Sequence, residues 1–312
     1  MIAAVFALCF PQNASAQQQF SISTGGTGGV YYPLGGGIAN VISKAIPGAS
    51  ATAEVTGGSV DNLNIVGSGK GELALAQVDA VIEAVKGQGK FKSPLPIRTL
   101  AVLYPNVQQV VTLESTGIKT LADLKGKRIS TGSPGSATEV LALRIIEAAG
   151  LDKDVDVKRE RLGAAESGNA LKDGKIDAFF FPSGLPTSAI TDVANTPGIK
   201  IKLIDHDSTV EAMNKKFGTI YTSYEIPMSI YKGMDKPSKA VSVWNIFIAN
   251  ASMKDETAYQ ITKLIFEKHA DLVAVHREAT NIKPESQKTG YAGAPFHPGA
   301  LKYFAERGWK VD

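Results

Sequence analysis

The stretch TGGTGGVYYPLGGG, residues 24–37, lies between an apolar, strand-like run and a helix-like one. Four of the five residues from Gly25 to Gly29 are glycine. Glycine loses more conformational freedom on folding than any other residue, so this much bare backbone needs a reason. The same style returns in TGGSVDN from Thr56, TGSPGSATE from Thr131 and FPSGLPTS from Phe181. Each stretch ends a strand-like run and opens a helix-like one, the place where ligands bind in open α/β sheets. The N-terminus of a helix offers unpaired N–H groups and partial positive charge. Glycine lets a ligand approach that backbone, and Ser or Thr adds a neutral hydroxyl donor. Together they describe an anion site made of backbone and hydroxyls. Thirteen of the 31 glycines fall between Gly25 and Gly71, so the enrichment is local. Each loop also has a plainer reading as a helix cap. Ser136 and Glu139 have capping-box spacing, and Ser59 can cap the helix that follows it. A cap does not call for two or three glycines, and four such loops in one topological place favour a ligand.

Outward from these loops, short apolar runs alternate with helical patterns. FSIST, ATAEV, GELALAQV and RTLAVLY read as strands, with helices over 31–45, 59–69 and 79–87 between them. A second set follows Pro105: strands VQQVVTL, KRISTG, VDVKRERL, KIDAFFF and IKIKLID, a clear helix over 136–150, and helices near 164–171 and 187–193. The strand VSVWNIFIA and one long helix from Asp255 to about His276 come last. This alternation predicts a parallel sheet with helices on its faces. No Pro/Ser-rich linker separates the sets, so the chain is expected to cross between two α/β domains on short strands.

The bulk numbers are those of a globular protein with room for two domains: 312 residues, 44% hydrophobic and 20% charged. A net charge of +3 with no long Lys/Arg block argues against nucleic acid as a partner. The opening MIAAVFALCF followed by Ala14-Ser15-Ala16 has the h-region and A-x-A pattern of a secretory signal, although no Lys or Arg follows Met1. Residues 1–16 are therefore expected to be a signal peptide and the protein to be periplasmic. Cys9, the single cysteine, falls inside that segment, which leaves the mature chain without a disulfide, a thiolate metal site or a Cys nucleophile.

Catalytic patterns are missing. GSGKGE at Gly67 has glycine where a phosphate loop needs Ser or Thr after Lys70, and Tyr31 stands at the third glycine of a dinucleotide fingerprint. GSPGS at Gly132 is not a nucleophile elbow. The four histidines are scattered; only His269 and His276 could share a helix face, which reads as a surface pair rather than a metal site. Binding without catalysis, cofactor or metal is the expectation. The alternative is a hydrolase or transferase that uses the glycine loops for phosphate. Tyr32, in the first turn after the first loop, can close over a ligand and offer its hydroxyl; Tyr31 reads as core. Gln77 can read a polar group, and Asp79 can meet an ammonium or cap its helix.

GTGGVYYPLGGGIA, TGGSVDNL, LYPNVQQVV, DLKGKRISTGSPGSATE, GKIDAFFF and HPGALKYFAERG, in that order over residues 20–308, resemble the TAXI family of solute receptors for TRAP transporters. The resemblance implies a type II periplasmic binding protein fold: two doubly wound α/β domains joined by hinge strands, with the ligand cleft between them. Domain 1 would comprise 20–104 plus 239–312 and domain 2 107–238, with hinges near 104–107 and 238–241. It further implies a monomeric exported receptor that hands a small carboxylate or amino-acid ligand to an ion-gradient-driven TRAP permease of small and large membrane subunits, separate or fused. Family ligands include glutamate, glutamine and 2-oxoglutarate. The family's glycine–hydroxyl loops line the cleft, which carries over to Gly26, Thr27, Gly28, Ser59, Ser133, Ser136, Thr138 and Ser183, with Tyr32, Gln77 and Tyr104 beside them. C4-dicarboxylate TRAP receptors hold a carboxylate with a cleft arginine. No arginine falls in the four loops here; Arg128 and Arg144 lie at a strand start and in a helix. Val30, Ala137 and FFFPSGLP depart from the family's usual wording.

Overall fold

The structure, a computed structural model, describes residues 18–311; the expected signal segment lies outside them. The chain runs β1 (Gln18–Ser23), α1 (Tyr31–Ala45), β2 (Ala49–Glu54), α2 (Ser59–Gly67), β3 (Leu73–Gln77), α3 (Val78–Lys86) and β4 (Ile97–Leu113). It continues through β5 (Arg128–Ser130), α4 (Ala137–Ala148), β6 (Lys158–Glu160), α5 (Ala164–Lys172), β7 (Ala178–Ser183), α6 (Ser188–Asn195), β8 (Ile201–Leu203), α7 (Val210–Phe217) and β9 (Thr222–Ile226). β10 (Ser238–Asn250), α8 (Asp255–Glu267), α9 (His269–Val275), α10 (Thr289–Ala292) and α11 (Pro298–Glu306) complete it. The strands share one sheet in the order β2-β1-β3-β10-β4-β7-β5-β6, with β8 on β4 and β9 on β10.

Two strands make this sheet into two lobes. RTLAVLY and VQQVVTL are not separate strands but halves of the 17-residue β4, which runs straight through Pro105. β10 is its antiparallel partner, with Trp244 opposite Pro105 and Val243 opposite Asn106. On one side of that crossing β10 pairs with β3 through Asn245–Ala249; on the other, β4 pairs with β7 from Val107 onward and β10 with β9 up to Ser242. The lobe of β1–β3 and the lobe of β5–β7 are each parallel inside. Where they meet β4 and β10, the pairing is antiparallel. The sheet is mixed, a departure from the parallel expectation, because β4 and β10 are crossing strands and not βαβ repeats.

Helix α1 shows why the local sequence folds as it does. Leu34, Ile38, Val41 and Ile42 are buried on one face, the i, i+4, i+7 stripe of an amphipathic helix. Gly35 lies on the same face: a Cβ there would stand 2.5 Å from Thr24 Cγ2 and 3.5 Å from Leu75. Glycine is what allows α1 to lie so close to the sheet. Gly35 and Gly37 of the opening stretch therefore belong to packing, on the sheet and on Val275. The long helix from Asp255 is broken at Lys268 into α8 and α9, because Lys268 leaves the helical conformation. The break leaves both histidines on α9: His269, whose Nε2 meets the Ala279 carbonyl oxygen at 2.7 Å, opens it and His276 is its C-cap. α7, β9, α10 and α11 were not legible as periodic patterns. No helix among the described residues is long and apolar enough to cross a membrane.

Candidate functional site

Four helix N-termini, those of α1, α2, α4 and α5, and the end of β7 enclose a cleft of about 270 Å³ between the lobes. From the lobe of β1–β3 come Gly25, Gly26, Tyr31, Thr56, Gly58, Ser59 and Gln77; from the crossing comes Asn106. The opposite lobe supplies Ser133, Ser136, Thr138, Glu166, Phe181 and Ser183. Seven of the sequence-derived candidates thus share one cavity: Gly26, Ser59, Gln77, Ser133, Ser136, Thr138 and Ser183.

Four candidates do not line it, each for a local reason. Thr27 is exposed at the loop tip. Gly28 is buried against the other lobe: a Cβ there would lie 3.0 Å from Ala165 N and 3.2 Å from the Cβ atoms of Ala164 and Ala189. Tyr32 points outward, 37% exposed, in a surface groove with Pro33 and Gly36. One helical step turns a side chain by about 100°, so Tyr31 is the tyrosine that faces the cleft, and its hydroxyl donates to Asn245 Oδ1 at 2.5 Å. Burial raises the Tyr31 phenol above its ordinary range, although a hydrogen bond to Ser59 opposes the shift. Tyr104 is fully buried in the core beneath α1. Its hydroxyl has no partner among the described residues, and burial, then Tyr31 and Glu278, push its phenol well above the usual value.

The capping expectations also split. Gly58, at φ 119°, occupies the N-cap of α2, a conformation that only glycine adopts easily. Ser59 is the first helical residue instead, and its Oγ accepts from Gln77 N at 3.1 Å. Ser136 does cap α4, accepting from Glu139 N at 3.3 Å and donating to the Ser133 carbonyl at 2.6 Å. Glu139 does not reach back to complete a box; it pairs with Arg161 at 2.8 Å.

The floor of the cleft is a fixed relay of amides. Asp79 accepts through Oδ1 from Gln77 Nε2 and from Ala80 N, both at 2.8 Å. A carboxylate can only accept here, so the Gln77 amide must present its nitrogen to Asp79 and its oxygen to Asn106. Asn106 Nδ2 donates to that oxygen at 2.8 Å, which leaves Asn106 Oδ1 buried without a partner among the described residues. On its other side Asp79 meets Arg144 of α4 at 3.2 Å, and Arg144 Nη1 contacts the Tyr221 hydroxyl at 2.5 Å. Arg144 also pairs with Glu83. Asp79 thus meets a guanidinium rather than a ligand ammonium or its own helix end alone.

These contacts cross between lobes, as do several at the cleft wall. Ser188 Oγ and Ala189 N donate to the Gly28 carbonyl at 2.9 and 3.2 Å. Ser133 Oγ donates to the Gly57 carbonyl at 3.0 Å, and Asp61 N to the Gly135 carbonyl at 3.1 Å. Glu278 Oε1 accepts from Leu185 N at 2.7 Å, and burial raises that carboxyl above its ordinary range. The lobes are shut on one another. The glycine loops supply much of the contact, which answers the question of the opening stretch: Gly25 and Gly26 border the cleft, Gly28 meets the opposite lobe, and Gly29 does both.

Sequence reasoning missed Tyr31, Asn106, Glu166 and Phe181. Asn106 lay within LYPNVQQVV, but nothing local marked it as part of a crossing strand. Among the described residues no group of His, Cys, Asp and Glu is arranged to hold a metal ion.

Two α/β lobes joined by paired crossing strands, with a cleft between helix N-termini, are the type II periplasmic binding fold. The chain belongs to the NMT1-like family, whose sequence profile matches residues 22–308. Among solved structures it is similar to a binding protein component of an ABC phosphonate transporter from Pseudomonas aeruginosa. That pair is 13% identical, with a TM-score of 0.54 and coverage of 86% of this chain and 80% of the other. It is also similar to a protein assigned to L-cystine ABC transport in Listeria monocytogenes, at 19% identity and TM-score 0.53, over 85% of this chain and 98% of that one. At these identities the likeness is one of fold.

Proposed function

We propose that the protein is the exported solute receptor of a TAXI-type TRAP transporter, capturing a small carboxylate solute and delivering it to an ion-gradient-driven permease. The observation that carries this reading is the composition of the closed cleft. Ser59, Thr138 and Ser183 and the first-turn N–H groups that have no partner among the described residues, those of Ser59, Ala137 and Thr138, border a space with no Lys or Arg among its described lining residues. Unpaired first-turn N–H groups and the helix dipole hold a carboxylate without a cationic side chain. A volume of about 270 Å³ lies just below the usual range for ligand pockets, about 300–1,000 Å³, and suits a solute of glutamate or 2-oxoglutarate size. The transporters named for the structural neighbours support a receptor role, and the sequence resemblance supports the TRAP assignment.

A thermal-shift screen of glutamate, glutamine, 2-oxoglutarate and C4-dicarboxylates tests the ligand class. A ligand at 100 times its dissociation constant adds about 2.7 kcal/mol to the folded state, a clear rise in Tm. No shift with any carboxylate, alongside a shift with phosphate esters, would end the receptor reading. Co-purification with a membrane protein of TRAP type tests the partner.

A further inference from the structure

We infer that Glu166 makes the cleft select solutes that carry an ammonium group together with the carboxylate, and reject simple dicarboxylates. The inference rests on the carboxylate reading above and narrows it.

Glu166 is the one charged side chain among the described residues that line the cleft. It stands in the first turn of α5, whose N-cap is Gly163. Its carboxylate is folded over that glycine, since a Cβ at Gly163 would collide with Glu166 Oε2, and both residues border the cavity. Of the other acids near the cleft, Asp79 is taken by Arg144 and Glu139 by Arg161 and Lys90, while Asp61 is folded against Gly57 and Gly135 and does not line the cavity. Glu166 has no ion pair and no hydrogen bond among the described residues. An acid in a helix's first turn is favourable on its own, but that does not account for an unclaimed carboxylate at the wall of a binding cavity.

The neutral groups divide the same way. Ser136 and Ser133 have committed their hydroxyl protons to the Ser133 and Gly57 carbonyls, so each offers a ligand only lone pairs. Asn106 Oδ1 is held as an acceptor by the Gln77–Asp79 relay and is unpartnered while 3% exposed. Against these acceptors stand donors: Ser183, whose oxygen accepts from Val30 N and whose proton is uncommitted, and the Ser59 N–H that opens α2, the Ser59 hydroxyl being turned toward Tyr31. A zwitterion satisfies both sets. A dicarboxylate sets its second anionic end among acceptors and beside Glu166, leaving polar groups unpaired, which is the costly outcome.

Calorimetric titration with two matched pairs tests this: L-glutamate against glutarate, and L-norvaline against pentanoate. Within each pair the α-ammonium is the only difference. The wild-type protein is expected to favour the amino member, and Glu166→Gln to cut that preference by roughly 10- to 100-fold, the range for losing a hydrogen bond to a charged group. Glu166→Asp keeps most of it. Urea denaturation of the variants checks that the fold is intact, as expected for an exposed side chain. Equal affinities within a pair for the wild type, or an unchanged ratio in Glu166→Gln, overturn the inference and leave the carboxylate reading standing. If no member of either pair binds, both fall.

Discussion

Gly28→Val is predicted to weaken ligand binding by holding the lobes apart, not by obstructing the ligand. Gly28 has a negative φ, so valine meets no backbone strain there. Its new side chain would instead grow into the opposite lobe, where even a Cβ stands 3.0 Å from Ala165 N and 3.2 Å from two alanine methyls. Overpacking of this kind costs about 1–3 kcal/mol. The shift that relieves it also disturbs the bonds from Ser188 Oγ and Ala189 N to the Gly28 carbonyl, at about 0.5–1.5 kcal/mol each. The penalty falls on the closed form alone. A total of about 2–6 kcal/mol corresponds to a loss of roughly 30- to 20,000-fold in affinity. Gly26→Ala is the internal control: it borders the cleft, and a Cβ there meets nothing within 4 Å. Calorimetry gives the affinities, and small-angle scattering with saturating solute reports closure. Wild-type affinity in Gly28→Val, with the same compaction on binding, would refute the reasoning.

Three further outcomes are predicted. Tyr104→Phe removes a buried hydroxyl that has no partner, so stability should stay level or rise by about 1 kcal/mol with affinity unchanged; a fall in affinity on titration would return Tyr104 to the site. Ser136→Ala should lower stability by about 0.5–2 kcal/mol through loss of the α4 cap. Its effect on affinity should be smaller, because the hydroxyl proton is spent on Ser133; paired denaturation and titration decide between the two. The third concerns His206. Its Nδ1–H donates to the Ile204 carbonyl at 2.8 Å, its Nε2 is buried without a partner, and burial pulls it down to about 4 from 6.5. The unfolded chain takes up a proton below about pH 6.5 and the folded chain only near 4. The stability tied to a neutral His206 is therefore complete above pH 6.5 and lost as pH falls toward 4, on the order of 3 kcal/mol. Urea midpoints at pH 7 and pH 5 should converge in His206→Gln relative to wild type; identical pH slopes would count against it.

The loops were legible because their chemistry is local. Glycine with hydroxyls at the end of a strand and the start of a helix is a pattern within ten residues, and six of the residues named from it border one cavity. What the residues did not disclose depends on orientation or on distance along the chain. Tyr31 and Tyr32 differ by one helical step, and only the packed position of α1 decides which faces inward. Asp79 suggested an ammonium partner, yet Arg144, 65 residues later, takes it. Pro105 reads as a break, since proline cannot donate to a ladder. β4 continues through it because the partner across that point is the other crossing strand. Gly28 was expected to bare backbone toward a ligand and bares it toward Ala164 and Ala189 instead.

The pairing of β3 with β10 also sets an order of assembly. Residues 73–77 find their sheet neighbour in residues 245–249, so the half built from β1, β2 and β3 stays open along one edge until most of the chain has emerged. The half containing β5, β6 and β7 draws its strands from a contiguous stretch and can close before then. Contacts of long sequence separation carry the larger loop-closure entropy and form late. The first glycine loop, made early on an unfinished edge, acquires its opposing wall only after synthesis has passed Ala189, and the strand that completes its sheet later still.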